Sequence, residues 1–218
     1  MKFKAVIFDF NGTLFWDTKY HNQAWNFFLK KHGLELTDAE KAAKIHGKPN
    51  RDIFKGLFKN TLTDDEILKM THEKENLYRD ICKNIQLELA PGANDFVNFL
   101  NKNNIQFAIA TSSGWENVSF YIETLKLENW IPLENIIFDD GSFKGKPNPD
   151  IFHKAMQKIG QNPENVLIFE DSKTGIQAAE KAKAGGIIIV DSNGDDYSDF
   201  SYRKINNFNQ IDRKLFVD

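Results

Sequence analysis

The stretch VLIFEDSKTGIQAAEKAKAGGIIIV, residues 166–190, decides the fold. It opens on an apolar run that ends in Glu170-Asp171, passes through a helical pattern at 174–184, and closes on a second apolar run, GIIIV (186–190). Short apolar runs rich in β-branched residues fit strands buried on both faces. Strand, helix and strand in succession imply a parallel pair joined by a right-handed crossover. Working outward, similar runs recur at AVIFDF (5–10), IQFAIATS (105–112) and IIFDD (136–140), so five strands are expected. Helical patterns at DFVNFLNK (95–102), NVSFYIETL (117–125) and PDIFHKAMQKIG (149–160) separate the later runs. The fold class is therefore α/β with a parallel sheet.

Residues 16–88 break that alternation. HNQAWNFFLKKHG, AEKAAKIHG, RDIFKGLF and DDEILKMTHEKENLYRDICKNI all read as amphipathic helix, and Pro91-Gly92 then marks the return to the α/β pattern. The expectation is a Rossmann-like core from 1–15 and 89–218 with a small helical cap, 16–88, inserted after the first strand. Linkers near 14–18 and 86–91 would serve as a hinge. The tail from about residue 196 is polar and takes no assignment.

Composition excludes several classes. The 218 residues carry a formal net charge of −3, and no run of Lys and Arg stands out, so nothing argues for a nucleic-acid partner. Cys82 is the sole cysteine, which rules out an internal disulfide and a cysteine-cluster metal site and fits a reducing compartment. The apolar run at the N-terminus is too short for a signal peptide, and no stretch approaches a membrane span. A cytoplasmic protein without a membrane partner is expected, with a monomer slightly favoured.

Four of the five strands end in reactive residues: Asp9, then Thr111-Ser112-Ser113, then Lys146 in the GKP that follows IIFDD, then Glu170-Asp171. In an open parallel sheet, ligands bind beyond the carboxyl ends of the strands, so separate strands would deliver these groups to one rim. Singly, each could be a solvated strand end; Ser112 or Ser113 could cap the helix that begins near Trp115. Jointly they have a chemical logic. A carboxylate can accept a phosphoryl group and split one transfer into two easier steps. Phosphoryl transfer otherwise needs positioning and charge neutralisation, which Lys146, the hydroxyls and a helix N-terminus could provide. Asp9 and Asp171 suit Mg²⁺, which takes one or two carboxylates together with water and phosphate.

Four segments in order, DFNGTL (9–14), the hydroxyls at Thr111/Ser112, GKP (145–147) and FEDSKTGIQAA (169–179), resemble the signatures of the haloacid dehalogenase-like superfamily. WDTKYHNQAW (16–25) and HGKPNRDIF (46–54) are similar to its helical-cap subgroup, which includes β-phosphoglucomutase and sugar-phosphate phosphatases. The resemblance implies Asp9 as nucleophile and metal ligand, the backbone carbonyl of Asn11 and the Asp171 carboxylate as further Mg²⁺ ligands, and Glu170 acting through a metal-bound water. It implies Lys146 bracing Asp9 and the phosphate, with Thr111 and Ser112 binding the transferring phosphoryl group. From the cap, Gly47, Arg51 and His21 would face the substrate, a small phosphorylated metabolite. A solvated surface position is an equal reading for Arg51 and His21. The site is expected between core and cap, with closure excluding water.

One position departs from the family pattern, Asp-x-Asp-Gly-Thr. Here it reads Asp9-Phe10-Asn11-Gly12-Thr13. The resemblance assigns proton transfer to the second Asp, and an amide exchanges no proton near neutral pH. The loss of a general acid–base is typically worth roughly 10²–10⁴-fold in rate. Asn11 also suits a turn before Gly12, which does not restore the acid. The expectation is a Mg²⁺-dependent phosphatase, slow or restricted to leaving groups that need little protonation, unless His21 supplies the proton. A β-phosphoglucomutase-like phosphotransferase is the runner-up, and a phosphate-ligand-binding protein with impaired catalysis is the reading from another class. Metal-free 2-haloacid dehalogenation ranks lower, because the Glu170-Asp171 pair argues for a metal.

Overall fold

The structure is a computed structural model that describes residues 2–46, 48–59, 61–129 and 131–217. The chain divides into two compact units, Met1–Trp16 with Glu88–Asp218, and Asp17–Leu87.

The second unit is helical: α1 (Thr18–Lys31), α2 (Asp38–Lys44), α3 (Asn50–Leu57) and α4 (Asp64–Lys83). Thr37 and Thr63 start α2 and α4 with capping boxes, each hydroxyl accepting the N–H of a glutamate three residues on while that carboxylate accepts the threonine N–H. Acidic first turns on both helices match the helix dipole. The apolar stripe of α1, Trp25, Phe28 and Leu29, packs with Ile53 and Phe54 of α3 and Ile67 of α4 in one core.

The first unit is a six-stranded sheet of β1 (Ala5–Phe8), β2 (Gln106–Ala110), β3 (Ile136–Ile137), β4 (Val166–Glu170), β5 (Gly186–Val190) and β6 (Arg203–Ile205). Their order is β3-β2-β1-β4-β5-β6, and every pair is parallel. Helices α5 (Ala93–Lys102), α6 (Trp115–Leu125), α7 (Asp150–Lys158) and α8 (Lys173–Lys181) supply the crossovers. Period-2 alternation splits β1 between two cores. Ala5 and Ile7 pack with Phe152 and Met156 of α7 and Ile176 of α8. On the other face the Phe8 ring meets Phe96 at 5.9 Å, Phe169 at 5.3 Å and Phe208 at 5.9 Å.

Two sequence expectations need correction. β6 is a sixth strand within the polar tail; Arg203 and Lys204 are exposed and Ile205 alone is buried, so three residues at a sheet edge leave no readable period. IIFDD contributes only Ile136–Ile137 to the sheet, because the chain leaves β2 after two paired residues.

Candidate active site

β1 and β4 are neighbours in register, with Phe8 beside Phe169. The Asp9 N–H extends that ladder onto the Phe169 carbonyl at 2.9 Å, and so places Asp9 alongside Glu170. Lys146 reaches both: its Nζ donates to Asp9 Oδ1 at 2.5 Å, to Glu170 Oε1 at 2.6 Å and to the Ala110 carbonyl at 3.3 Å. The ammonium lies 5.1 Å from the Phe152 ring centroid and is almost fully buried. A lysine enters such a place only when paired. Burial opposes its charge, yet the carboxylates of Asp9 and Glu170 outweigh burial and hold its pKa above the ordinary lysine value.

The second oxygen of Glu170 is also occupied. Oε2 accepts from the Ser172 N–H at 2.8 Å and its hydroxyl at 3.0 Å. Ser172 is the N-cap of α8, its Oγ accepting the Gly175 N–H at 3.0 Å. A Cβ at Gly175 would strike the Glu170 carboxylate, so the close approach of α8 requires glycine there.

Asp171 faces the loop after β1, its Oδ1 accepting from Thr13 Oγ1 at 3.2 Å. Gly12 sits at φ +82°, and the space a side chain would need there is taken by the Asp171 carboxylate. Tyr197 donates to the Asp171 carbonyl at 2.6 Å and ties this turn to the segment after β5.

Asp9, Glu170 and Asp171 bring one carboxylate oxygen each within 4.8 Å of one another. Lys146 is the cation in contact with two of them. Burial, then the charges of Glu170 and Asp9, push the Asp171 carboxyl well above the usual carboxylate range. Converging hard oxygens with an excess of negative charge are the donor set that a divalent cation such as Mg²⁺ uses. The residues fit such an ion.

The hydroxyls after β2 meet Asn11. Thr111 Oγ1 donates to Asn11 Oδ1 at 3.2 Å and Ser113 Oγ donates to the same atom at 2.9 Å. The amide nitrogen donates to the Tyr121 hydroxyl at 2.9 Å. Thr111 is buried and Ser112 is partly exposed. Neither Ser112 nor Ser113 caps α6: Gly114 is its N-cap, without a side-chain bond.

In the helical unit, His21 is half-buried and stacked on Tyr78 with centroids 3.7 Å apart. Lys74 Nζ lies 2.9 Å from His21 Nδ1, and His21 Nε2 lies 3.3 Å from Asp17 Oδ2. Tyr78 donates to the same Asp17 oxygen. Lys74, almost fully buried, also meets Glu75 Oε1 at 2.9 Å, which accepts from Asn50 at 2.6 Å. Arg51 is exposed and pairs with Asp64 at 2.7 Å. Gly47 lies outside the described residues.

Residues 6–189 match the family described as haloacid dehalogenase-like hydrolase. The chain belongs to that family. A crystal structure of a hydrolase of this family, family IA variant 3, from Entamoeba histolytica is 36% identical, with a TM-score of 0.88 over 99% of this chain and 97% of that one. A phosphorylated carbohydrates phosphatase of Thermotoga maritima is 28% identical over 82% of this chain and 81% of its own length. A β-phosphoglucomutase of Bacillus subtilis is 25% identical over 82% and 80%. For a member of the haloacid dehalogenase-like family, three functional candidates were not legible as such. Tyr121 and Lys74 are hidden behind ordinary helical context, and Ser172 behind its place in a turn. A polar residue on a buried helix face is the signal that marks Tyr121 and Lys74, but it does not reveal the partner.

Proposed function

We propose that this protein is a Mg²⁺-dependent phosphatase of a small phosphorylated metabolite, a sugar phosphate in the first instance, that works through an aspartyl-phosphate on Asp9. The observation that carries this reading is the Asp9–Lys146–Glu170 cluster at the carboxyl end of two adjacent strands, with Asp171 beside it. The phosphatase among the relatives supports the substrate class. Asp9, Asp171 and the backbone carbonyl of Asn11 would hold the ion, with Glu170 acting through water. When bound, Mg²⁺ would neutralise the carboxylates and the incoming phosphate dianion.

Lys146 holds the Asp9 carboxylate in place at 2.5 Å, so that a carboxylate oxygen can attack phosphorus. Thr111 and Ser112 bind the transferring phosphoryl oxygens, and His21, Arg51 and Gly47 belong to substrate binding from the helical unit. Asn11 donates or accepts hydrogen bonds there without exchanging a proton. A mutase fits less well, because return of the phosphoryl group to a second hydroxyl leans on the acid–base group that position 11 lacks.

The test is phosphate release from a panel of phosphate esters with MgCl₂, comparing the natural chain with Asp9→Asn. The expected result is turnover that Asp9→Asn abolishes. Equal, slow release by both proteins would overturn the enzyme reading in favour of a phosphate-binding protein.

A further inference from the structure

Asn11 is enclosed by hydroxyls within the α/β unit. Its carbonyl oxygen takes two, Thr111 at 3.2 Å and Ser113 at 2.9 Å, and its amide nitrogen faces a third, Tyr121 at 2.9 Å. Tyr121 is 1% exposed and its ring is wedged on Phe10, centroids 4.9 Å apart, and Phe15, 5.8 Å. A side chain packed that way offers its hydroxyl from a fixed point. The Thr111 oxygen in turn accepts the Ser113 N–H at 3.1 Å, so the two β2 hydroxyls and the amide form one network.

The amide is thereby oriented. Its carbonyl side meets two donors and its amino side meets an oxygen, so each of these three contacts has the right sign. An amide and the hydroxyls of serine and threonine exchange no proton as acids near neutral pH.

We infer that Tyr121 is a positioning residue that locks the Asn11 amide toward Thr111 and Ser113, and that the site therefore selects phosphates whose leaving oxygen departs as a stable anion, acyl phosphates foremost. This rests on the phosphatase reading, with Asp9 as nucleophile, and departs from it in one respect: a sugar phosphate is an alkyl ester, so an acyl phosphate takes its place as the preferred substrate. With an acyl phosphate, an Asp9 oxygen bonds to phosphorus as the bond from phosphorus to the acyl oxygen breaks. The electron pair stays on a carboxylate that leaves without a proton. Water then bonds to phosphorus, the Asp9–phosphorus bond breaks back to the carboxylate, and dihydrogen phosphate departs with both protons of that water, shedding one to solvent. An alkyl ester would have to leave as an alkoxide, because Asn11 supplies no proton.

The experiment measures kcat and KM for acetyl phosphate and for glycerol phosphate, with Asp9→Asn as the blank. The variants are Asn11→Asp, Tyr121→Phe, Asn11→Ala and the double variant Asn11→Ala/Tyr121→Phe, each checked for an unchanged Tm. The natural chain should prefer acetyl phosphate in kcat/KM, and Asn11→Asp should shrink that preference about 10²-fold or more by raising kcat/KM for glycerol phosphate, the hydrolysis of the Asp9 phosphate being common to both substrates. Tyr121→Phe should lower kcat for acetyl phosphate about tenfold with little change in KM, and should have no effect in the Asn11→Ala background, since it acts through that side chain. An unchanged preference in Asn11→Asp overturns the substrate inference. Equal losses from Tyr121→Phe in both backgrounds reduce Tyr121 to packing and overturn its positioning role. Absence of Asp9-dependent release from either substrate overturns the phosphatase reading itself, and this inference with it.

Discussion

Lys146 shows how much one side chain carries in this molecule. Its ammonium is enclosed between Asp9 and Glu170, and the Glu170 carboxylate has no exposure to solvent. Breaking a buried pair from one side is costly, because the remaining carboxylates lose the cation that offsets their desolvation. Lys146→Met, similar in length and apolar, should destabilise the protein by about 3–5 kcal/mol, read from urea unfolding, and should remove phosphate release. Cys82 is the opposite case, a group made inert by its surroundings. It is buried, and burial, with a smaller contribution from the Asp17 charge, pushes its thiol up to about 11. The thiolate is the reactive form, and at pH 8 it amounts to about one part in a thousand. Alkylation of the native protein should be very slow at pH 8 and fast in urea, where the pKa returns to about 8.5. Fast labelling of the folded protein would contradict the burial of this position.

At the scale of the element, the start of α8 joins helix capping to the site. Ser172 accepts the Gly175 N–H and donates to Glu170, while its own N–H holds the same carboxylate oxygen. Ser172→Ala loses the cap and one hydrogen bond to a buried carboxylate, and should cost about 1–3 kcal/mol. The denaturant midpoint should fall with the m-value unchanged. Gly175→Ala tests the steric half of the same junction. Alanine normally favours a helix by about 1 kcal/mol over glycine. Here its methyl group would collide with Glu170, so the substitution should destabilise instead. A stabilised Gly175→Ala protein would show that α8 does not approach β4 as described.

For the whole molecule, the excess of carboxylates at the sheet rim predicts a response to divalent ions. An ion bound only by the folded state stabilises by mass action, about 2.7 kcal/mol at a concentration one hundred times Kd. MgCl₂ should raise Tm well beyond an equal ionic strength of KCl, and Asp171→Asn should remove most of that difference. Equal shifts from both salts would argue against the ion. Among the described residues no helix is long and apolar enough to cross a membrane.

Much of this was legible in the chain itself, for a physical reason. Strands buried on both faces must be nearly continuous apolar runs, and β1, β2, β4 and β5 could be read as such. Because parallel strands present their carboxyl ends on one rim, Asp9, Thr111, Glu170 and Asp171 could be grouped from the residues alone. The family was legible for the same reason, since its signatures sit at those strand ends. β6 was not legible, because three residues at an edge bury one side chain. The partners of Asn11 were hidden too. Tyr121 lies 110 residues away on α6, and that its hydroxyl meets the Asn11 amide rather than solvent depends on how α6 docks beside the loop after β1. The pairing of Lys74 with His21, 53 residues apart, is likewise settled by the packing of α1 against α4. Sequence determined five of the six strands and which reactive residues stand at their ends, because both follow from local apolar pattern and strand direction. Only the tertiary structure decided which hydroxyls, amides and charges meet, because a hydrogen bond depends on distances that the docking of separate elements sets.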